Sequence, residues 1–540
     1  MKKTYLDIME KALSAYSDER IRDYIDEVKR EGLKEHGFPR LTSNIGIMVA
    51  YGRRPDLMDT FLEMMELCCN EMLIRKAAND FSMREVCWCL MLMEEKQTVP
   101  REKIDHWKGL LRSFDPWTGY DRVAKSPTTP TSNWAFFAAV SDYTRGLCCG
   151  IDTSEFVDWQ LATQVVRFDE NGMYQDSPPL INPLVYDLVP RGLAACLLLA
   201  GYKGKYAKQL EEYLDRAANL HLQMQSVTGE HPFGGRSNQF LHNEAWLAGY
   251  GEMEAVRFAR KGDPETAGKF RASARLAAEK ALAYLALDPI SHIKNRYDVS
   301  ARFGCEGYGY FNKYMITMAS FIYLGVLFAD ESITPTVAPA EKGGYLARTS
   351  EKFHKVFINC GGYFLEFETD ACLLYDGNGL GRVHKKGCPG PLCLSVPFPG
   401  PESKYHLDVP NPRPMALGCA GGAEVPYTLG EWEASDERVT AVLHCEKGTE
   451  RYTVTAEGVE IAYGQKGFML PVFAFDGEKE VSSCVEDGKI TVEYQGAVCT
   501  YTFNGKAEGY EEYRNRNGVY RVYRVNGDHL TIRMEAQYEA

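Results

Sequence analysis

The sequence predicts a multidomain chain, first all α and then all β: a helical toroid followed by an antiparallel β-sandwich. Three observations carry that expectation. Apolar residues recur at helical spacing from residue 3 to about 330, the period becomes two from about 351, and ESITPTVAPAEKGG between them bears proline and glycine with no period at all. At 540 residues the chain is long enough for two cores. The expected units are 1–332 for the toroid, 333–350 for a linker and 351–540 for the sandwich.

In the first unit, Leu210, Leu214, Ala217, Leu220 and Met224 line one face of a helix whose other face carries Gln209, Glu212 and Arg216. Helix breakers recur often enough for on the order of a dozen helices. Joined as antiparallel hairpins, that many helices can close into a double ring, with inner helices around a bowl and the loops of one rim carrying a site. A linear solenoid would show a repeat of fixed period, and none is visible. In the last unit, Ile490, Val492 and Tyr494 alternate with Thr491, Glu493 and Gln495, and similar short runs are parted by turns such as Asp487-Gly488. Several short strands at this spacing predict a sandwich.

Composition removes several classes of function. The net charge of −13, with no block of five basic residues, excludes nucleic acid and anionic membranes as expected partners. No run approaches the ~20 apolar residues of a membrane helix. Acidic residues interrupt MKKTYLDIMEKALSAY, so no signal peptide is expected and the cytoplasm is the expected location. The 16 cysteines lack framework spacing and read as reduced core thiols. Cys87 with Cys89, and Cys388 with Cys393, lack a second paired cluster, so no metal is expected. With no GxGxxG after a strand and no Walker loop, no organic cofactor is expected either. Self-association is compatible with an acidic two-domain chain, but no sequence feature decides it.

Four loops of the α half are too rich in aromatic, polar and glycine residues for plain connections. They are SPTTPTSNWAFF (126–137), FDENGMYQDSPPLINPLVYD (168–187), TGEHPFGGRSNQFLHNEAW (228–246) and NRYDVSARFGCEGYGYFNKYM (295–315). Each precedes an apolar helical stretch, so the four are expected to meet at one mouth.

Here the sequence resembles the six-hairpin, (α/α)6-toroid carbohydrate-active enzymes. Asn133-Trp134 before a helix, GMYQDSPPLINP and FGGRSNQ look like the bacterial family called domain of unknown function 2264. CEGYGYFNKYM, followed by YDGNGLGRVHKKG in the β half, is similar to heparinase-like lyases and to glycoside hydrolase family 154. The last resemblance implies a β-glucuronidase, and the set implies a uronic-acid oligosaccharide or glucuronide as substrate. The architecture hosts hydrolases and lyases alike.

Each candidate residue has a functional and a structural reading. Arg236 follows two glycines that turn the backbone tightly, leaving its planar fork to grip a uronate carboxylate or to form a structural ion pair. Arg302 and Lys313 flank the glycine- and tyrosine-rich segment and suit the same role. Trp134, Tyr174, Tyr308 and Tyr310 would stack on a sugar face or fill the core. Asn133 reads as the N-cap of the helix that follows, with a ligand role if its amide faces the bowl. His384 would reach the mouth from the domain interface, or lie in a basic turn in water.

Hydrolysis of a glycoside needs two carboxyl groups, about 5 Å apart for retention or roughly 6.5–9.5 Å for inversion. The candidates are Asp176, in a proline-rich loop, Glu244, near Trp246, and Glu306, among glycines and tyrosines, with Asp187 and Asp298 in reserve. Salt bridging or capping is the structural reading of each. The preferred expectation is an exo-acting glycosidase with Glu244 or Glu306 as general acid and Asp176 as partner. β-Elimination of a uronate is the second reading, with His231, His242, Tyr308 and Tyr310 as its acid and base. A sugar-binding protein without catalysis is the third.

Overall fold

The computed structural model describes residues 1–126, 132–176, 183–419 and 422–537. Its α half holds helices α1 (Lys2–Leu13), α2 (Asp18–Glu31), α3 (Gly37–Ala50), α4 (Met58–Ile74), α5 (Asn79–Lys96), α6 (Arg101–Arg112), α7 (Trp134–Cys149), α8 (Ser154–Gln164), α9 (Val185–Leu199), α10 (Ala207–Met224), α11 (His242–Arg260), α12 (Pro264–Leu285) and α13 (Phe311–Phe328), besides shorter turns. The odd-numbered helices from α3 onward form a ring: α3 packs on α5, α5 on α7, α7 on α9, α9 on α11, α11 on α13, and α13 returns to α3. Outside it, α4 lies on α3, α6 and α8 on α7, α10 on α9, α12 on α11 and α1 on α13. The chain is a closed helical toroid followed by antiparallel sheets.

The two layers differ in sequence texture because they differ in burial. Outer helix α2 buries only Ile21, Ile25 and Val28, one stripe of its surface, and starts at Ser17, whose hydroxyl accepts the Arg20 N–H at 3.2 Å. Inner helix α11 is buried without a gap from His242 to Arg257. Its neighbours approach closely at small residues. Gly249 faces Phe321 and Leu324 of α13, Gly251 faces Phe270 and Ala274 of α12, and Gly192 of α9 lies against the Trp246 indole. By length and composition α13 is apolar enough to cross a membrane, yet its residues Met315 to Val326 are buried against α1, α3 and α11.

The β half opens with a four-stranded antiparallel sheet, β1 (Tyr345–Arg348), β2 (Lys355–Cys360), β3 (Tyr363–Glu368) and β4 (Gly379–Lys385), paired in that order. Thus the stretch 333–350 carries the short helix Pro339–Lys342 and strand β1. An eight-stranded and a second four-stranded antiparallel sheet complete this half. The β1–β4 sheet is buried on both faces. Phe357 and Phe364 pack on Met173, Leu184 and Val227 of the toroid, while Val356, Ile358, Leu365 and Phe367 join the core of the other sheets. Polar groups on the toroid-facing side must then pair with one another. Arg382 meets Glu366 at 2.9 Å, and Lys355 meets Glu366 at 3.2 Å and Glu368 at 3.0 Å. Gly381 leaves room beside the ring of Phe233, and Lys355 Nζ lies 3.3 Å from that ring's centre. The toroid segment 233–238 is thereby docked on the sheet.

Candidate functional site

A cavity of about 480 Å³ opens where the first turns of all six inner helices converge. Arg40 of α3, Phe81 of α5, Trp134 of α7, Val185 and Tyr186 of α9, His242 of α11, and Lys313 and Tyr314 of α13 line it, with His36, Arg122, Asn133, Arg236 and Tyr308 from the connections. Every inner helix presents its N-terminal end, so six partial positive charges point at the same space. Four cationic side chains, Arg40, Arg122, Arg236 and Lys313, add full ones. Among the described lining residues there is no aspartate or glutamate. Two aromatic walls complete the site. Trp134 stands edge-on to Phe81 with ring centres 4.4 Å apart and lies under the Arg122 guanidinium, also at 4.4 Å. Opposite, Phe240 and Tyr314 stack on each other at 4.3 Å, and the His242 ring lies beside the pair, 5.4 Å from Phe240 and 5.6 Å from Tyr314.

Arg236 is oriented by groups behind the wall. Its Nη2 donates to Asp176 Oδ2 at 2.5 Å, and its guanidinium lies 4.6 Å from the centre of the Tyr186 ring. Asp176 Oδ1 also accepts the backbone N–H of Asn133 at 2.8 Å and its side-chain Nδ2 at 2.7 Å. Asn133 does occupy the N-cap position of α7, but its side chain bonds Asp176 rather than capping the helix, and its buried Oδ1 has no partner among the described residues. Asp176 therefore ties an amide and a guanidinium together at one edge of the cavity.

Ser237 forms the neighbouring edge. Its hydroxyl bonds the Tyr186 hydroxyl at 3.0 Å and the Tyr308 hydroxyl at 2.8 Å, and its N–H donates to Glu306 Oε1 at 2.7 Å. The residue has φ of 61°, as Ala78 on the opposite wall has φ of 55°, left-handed conformations that non-glycine residues hold only when their surroundings fix them. Burial raises the Glu306 carboxyl, despite hydrogen bonds from Ser237 and Gln239 that favour the anion. The Tyr308 hydroxyl is pushed far up, first by burial and then by Tyr186 and Glu306, which leaves it a neutral proton donor. Burial, reinforced by Arg40 and Lys294, holds His242 well below the ordinary imidazole value, and burial with Arg40 and Lys313 does the same to His36, so both rings are neutral. Burial also lowers Lys313.

Of the sequence candidates, the structure gathers Asn133, Trp134, Arg236, His242, Tyr308 and Lys313 on one cavity, with Asp176 and Glu306 one contact behind. The others lie elsewhere. Tyr174 is fully buried, its hydroxyl donating to Gln164 Oε1 at 2.5 Å, and belongs to the core. Glu244 is taken up in an interior ion pair: Oε1 meets Lys294 Nζ at 2.8 Å and the His231 N–H at 3.3 Å, and burial brings that lysine down to about 8. His231 is buried beside it, with Nδ1 3.1 Å from the Pro232 carbonyl. His384 is neither at the mouth nor in water. It is buried between Ser226, at 2.7 Å from Nδ1, and Ser395, at 2.9 Å from Nε2. Arg302 and Tyr310 line a separate cavity. Of the reserves, Asp187 is buried against His221 at 2.7 Å, and Asp298 caps its own exposed turn through Ser300. Residues 127–131 and 177–182, parts of two of the loops, lie outside the described residues.

Sequence reasoning missed His36, Arg40, Arg122 and Tyr314. A signal existed for Arg40: GFPRLTSNIG puts Arg40, Thr42, Ser43 and Asn44 on several sides of an otherwise apolar helix, and all four are buried.

Fold and site together define a closed helical toroid with a cationic, aromatic-walled cavity at its inner N-termini. No protein-family model and no curated protein matches the sequence, so the likeness to domain of unknown function 2264 and to glycoside hydrolase family 154 rests on the motifs alone. Solved structures do match. The crystal structure of heparinase III is similar over 93% of this chain and 77% of its own, with a TM-score of 0.50 and 8% identity, which shows the shared fold. Also similar are a heparan sulfate lyase HepC mutant from Pedobacter heparinus, at TM-score 0.40, 8% identity and 93% and 77% coverage, and Ara127N-Se, a GH127 β-L-arabinofuranosidase from Geobacillus stearothermophilus T6, at TM-score 0.38, 10% identity and 99% and 98% coverage.

Proposed function

We propose that the protein is a carbohydrate-active enzyme that takes a uronate-bearing oligosaccharide into the toroid cavity and cleaves it by β-elimination. One observation carries the reading: four cations and six helix N-termini converge on a cavity whose described lining holds no carboxylate. Such a field suits an anionic sugar, and a wall without aspartate or glutamate among its described residues offers no pair of carboxyl groups facing the substrate. Arg236 and Asn133, fixed by Asp176, are placed to meet the sugar carboxylate and to stabilise the charge that develops on it. The neutral His242 accepts the proton from the carbon beside that carboxylate. The electron pair left behind forms the carbon–carbon double bond as the glycosidic C–O bond breaks, and the Tyr308 hydroxyl protonates the departing oxygen. Trp134 supplies an aromatic face for a sugar ring.

Hydrolysis of a glucuronide is the second reading, and Glu306 favours it, being a buried carboxyl raised toward the protonated form. A panel of uronate oligosaccharides and a chromogenic β-glucuronide separates the two. Elimination yields an unsaturated, ultraviolet-absorbing product, whereas release of saturated uronate without that absorbance would overturn it in favour of hydrolysis.

A further inference from the structure

A second cavity lies on the other side of the segment that walls the first. Tyr308, Lys313 and Tyr314 face the toroid cavity, whereas Tyr310, Phe311 and Asn312, from the same stretch of chain, line a more open space of about 700 Å³ together with Arg20, Asp288 and Arg302. Tyr310 leaves 59% of its surface in solvent, unusual for a large aromatic side chain. The Arg302 guanidinium lies 4.7 Å from the centre of its ring, and that of Arg20 lies 4.8 Å from the centre of the Phe311 ring. Neither arginine has a carboxylate partner within ion-pair distance among the described residues; Arg302 donates to the Gly307 carbonyl at 2.8 Å and Arg20 to the Ala15 carbonyl at 3.3 Å. Asp288 is the one acidic side chain in the described lining, so the two guanidinium groups outnumber it.

Two arginine–aromatic pairs, offset in the described lining by Asp288 alone, form a receptor for a flat-faced anion. Resting on the proposed function, we propose that this outer cavity is a second acidic-sugar subsite, which holds a uronate of the same chain whose scissile unit occupies the toroid cavity. The chain passes over the edge between Tyr308 and Lys313. Tyr310 and Phe311 meet sugar faces, Arg302 and Arg20 meet the carboxylate, and the Asn312 amide meets hydroxyls. The subsite makes the protein prefer longer acidic oligosaccharides to disaccharides.

The test uses the full chain with β-linked oligoglucuronates of two and six units, following binding by calorimetry and turnover by formation of the double bond. The hexamer is expected to bind about tenfold more tightly than the dimer, the equivalent of one charge-assisted contact. Arg302→Ala and, separately, Tyr310→Ala, both at the rim, should abolish that advantage and leave the dimer unchanged. Turnover of both lengths with no difference in affinity, or an equal loss for both in the variants, would overturn the subsite and leave the toroid reaction standing. A protein that neither binds nor cleaves either length overturns both.

Discussion

Arg236 and His242 carry opposite parts of the proposed chemistry, and each depends on its neighbours for its state. Asp176 is buried and holds both Arg236 and Asn133, so Asp176→Asn keeps the shape and removes the charge that orients the guanidinium. A displaced clamp should lower kcat/KM on uronates by on the order of 10²-fold, whereas unchanged kinetics would separate Asp176 from the site. His242 is kept neutral by burial and by the charges of Arg40 and Lys294, so its proton-accepting form persists below the ordinary value of 6.5. The acid limb of kcat/KM should therefore fall at a pH below 6.5, and His242→Gln should cost about 10²–10⁴-fold. An acid limb above 6.5 would assign the base elsewhere. Tyr174, by contrast, shows why a motif does not give direction. The Phe168–Tyr174 bridge folds the segment 168–174 back on itself, and the ring lies against Phe136 and Phe168, which no spacing in the sequence announces.

At the scale of elements, legibility followed one-sided burial. Outer helix α10 was readable because Leu210, Leu214 and Ala217 form a single buried stripe. Inner helices are buried all round, so α13 shows a run of apolar residues rather than a period, and α3 hides Arg40 among them. The same holds for β4, where burial of Gly379 through His384 leaves no alternation to show that His384 faces the toroid. The convergence of the rim segments was legible because each glycine- and aromatic-rich stretch adjoins the start of an inner helix. What closes the ring is less visible in sequence: small residues where inner helices cross. Gly192 lies so close to the Trp246 indole that a methyl group there forces α9 and α11 apart. Gly192→Ala should destabilise the fold by about 1–3 kcal/mol, read as an earlier thermal transition. An unchanged melt would mean that the indole relocates freely.

Across the whole molecule, the β half grips the segment that carries Arg236. Asp376 accepts the Gly235 N–H at 2.8 Å, the Tyr405 hydroxyl donates to the Gly235 carbonyl at 3.0 Å, and Arg516 bonds Asn238. Gly235 has φ of 68° and packs against Pro183, which leaves this turn little freedom to adopt another shape. Asp376 is buried, and burial raises its carboxyl from 3.8 to about 7, with Glu368 pushing the same way and Lys355, Arg516 and the Gly235 N–H opposing; the Tyr405 hydroxyl lies in the same field. A folded value above the unfolded one means that the proton is held more tightly in the folded chain. The resulting stability is complete below about 3.8 and is lost as pH rises to about 7, where the folded protein must bury the ionised carboxylate. Asp376→Asn keeps an acceptor for the Gly235 N–H and removes that titration. Its thermal transition should exceed the parent protein's at pH 8 and approach it at pH 5, while the rate on uronates stays within a few fold because the turn keeps its acceptor. If the variant instead melts lower at pH 8, the ionised carboxylate stabilises the interface, and the charges of Lys355 and Arg516 outweigh its burial.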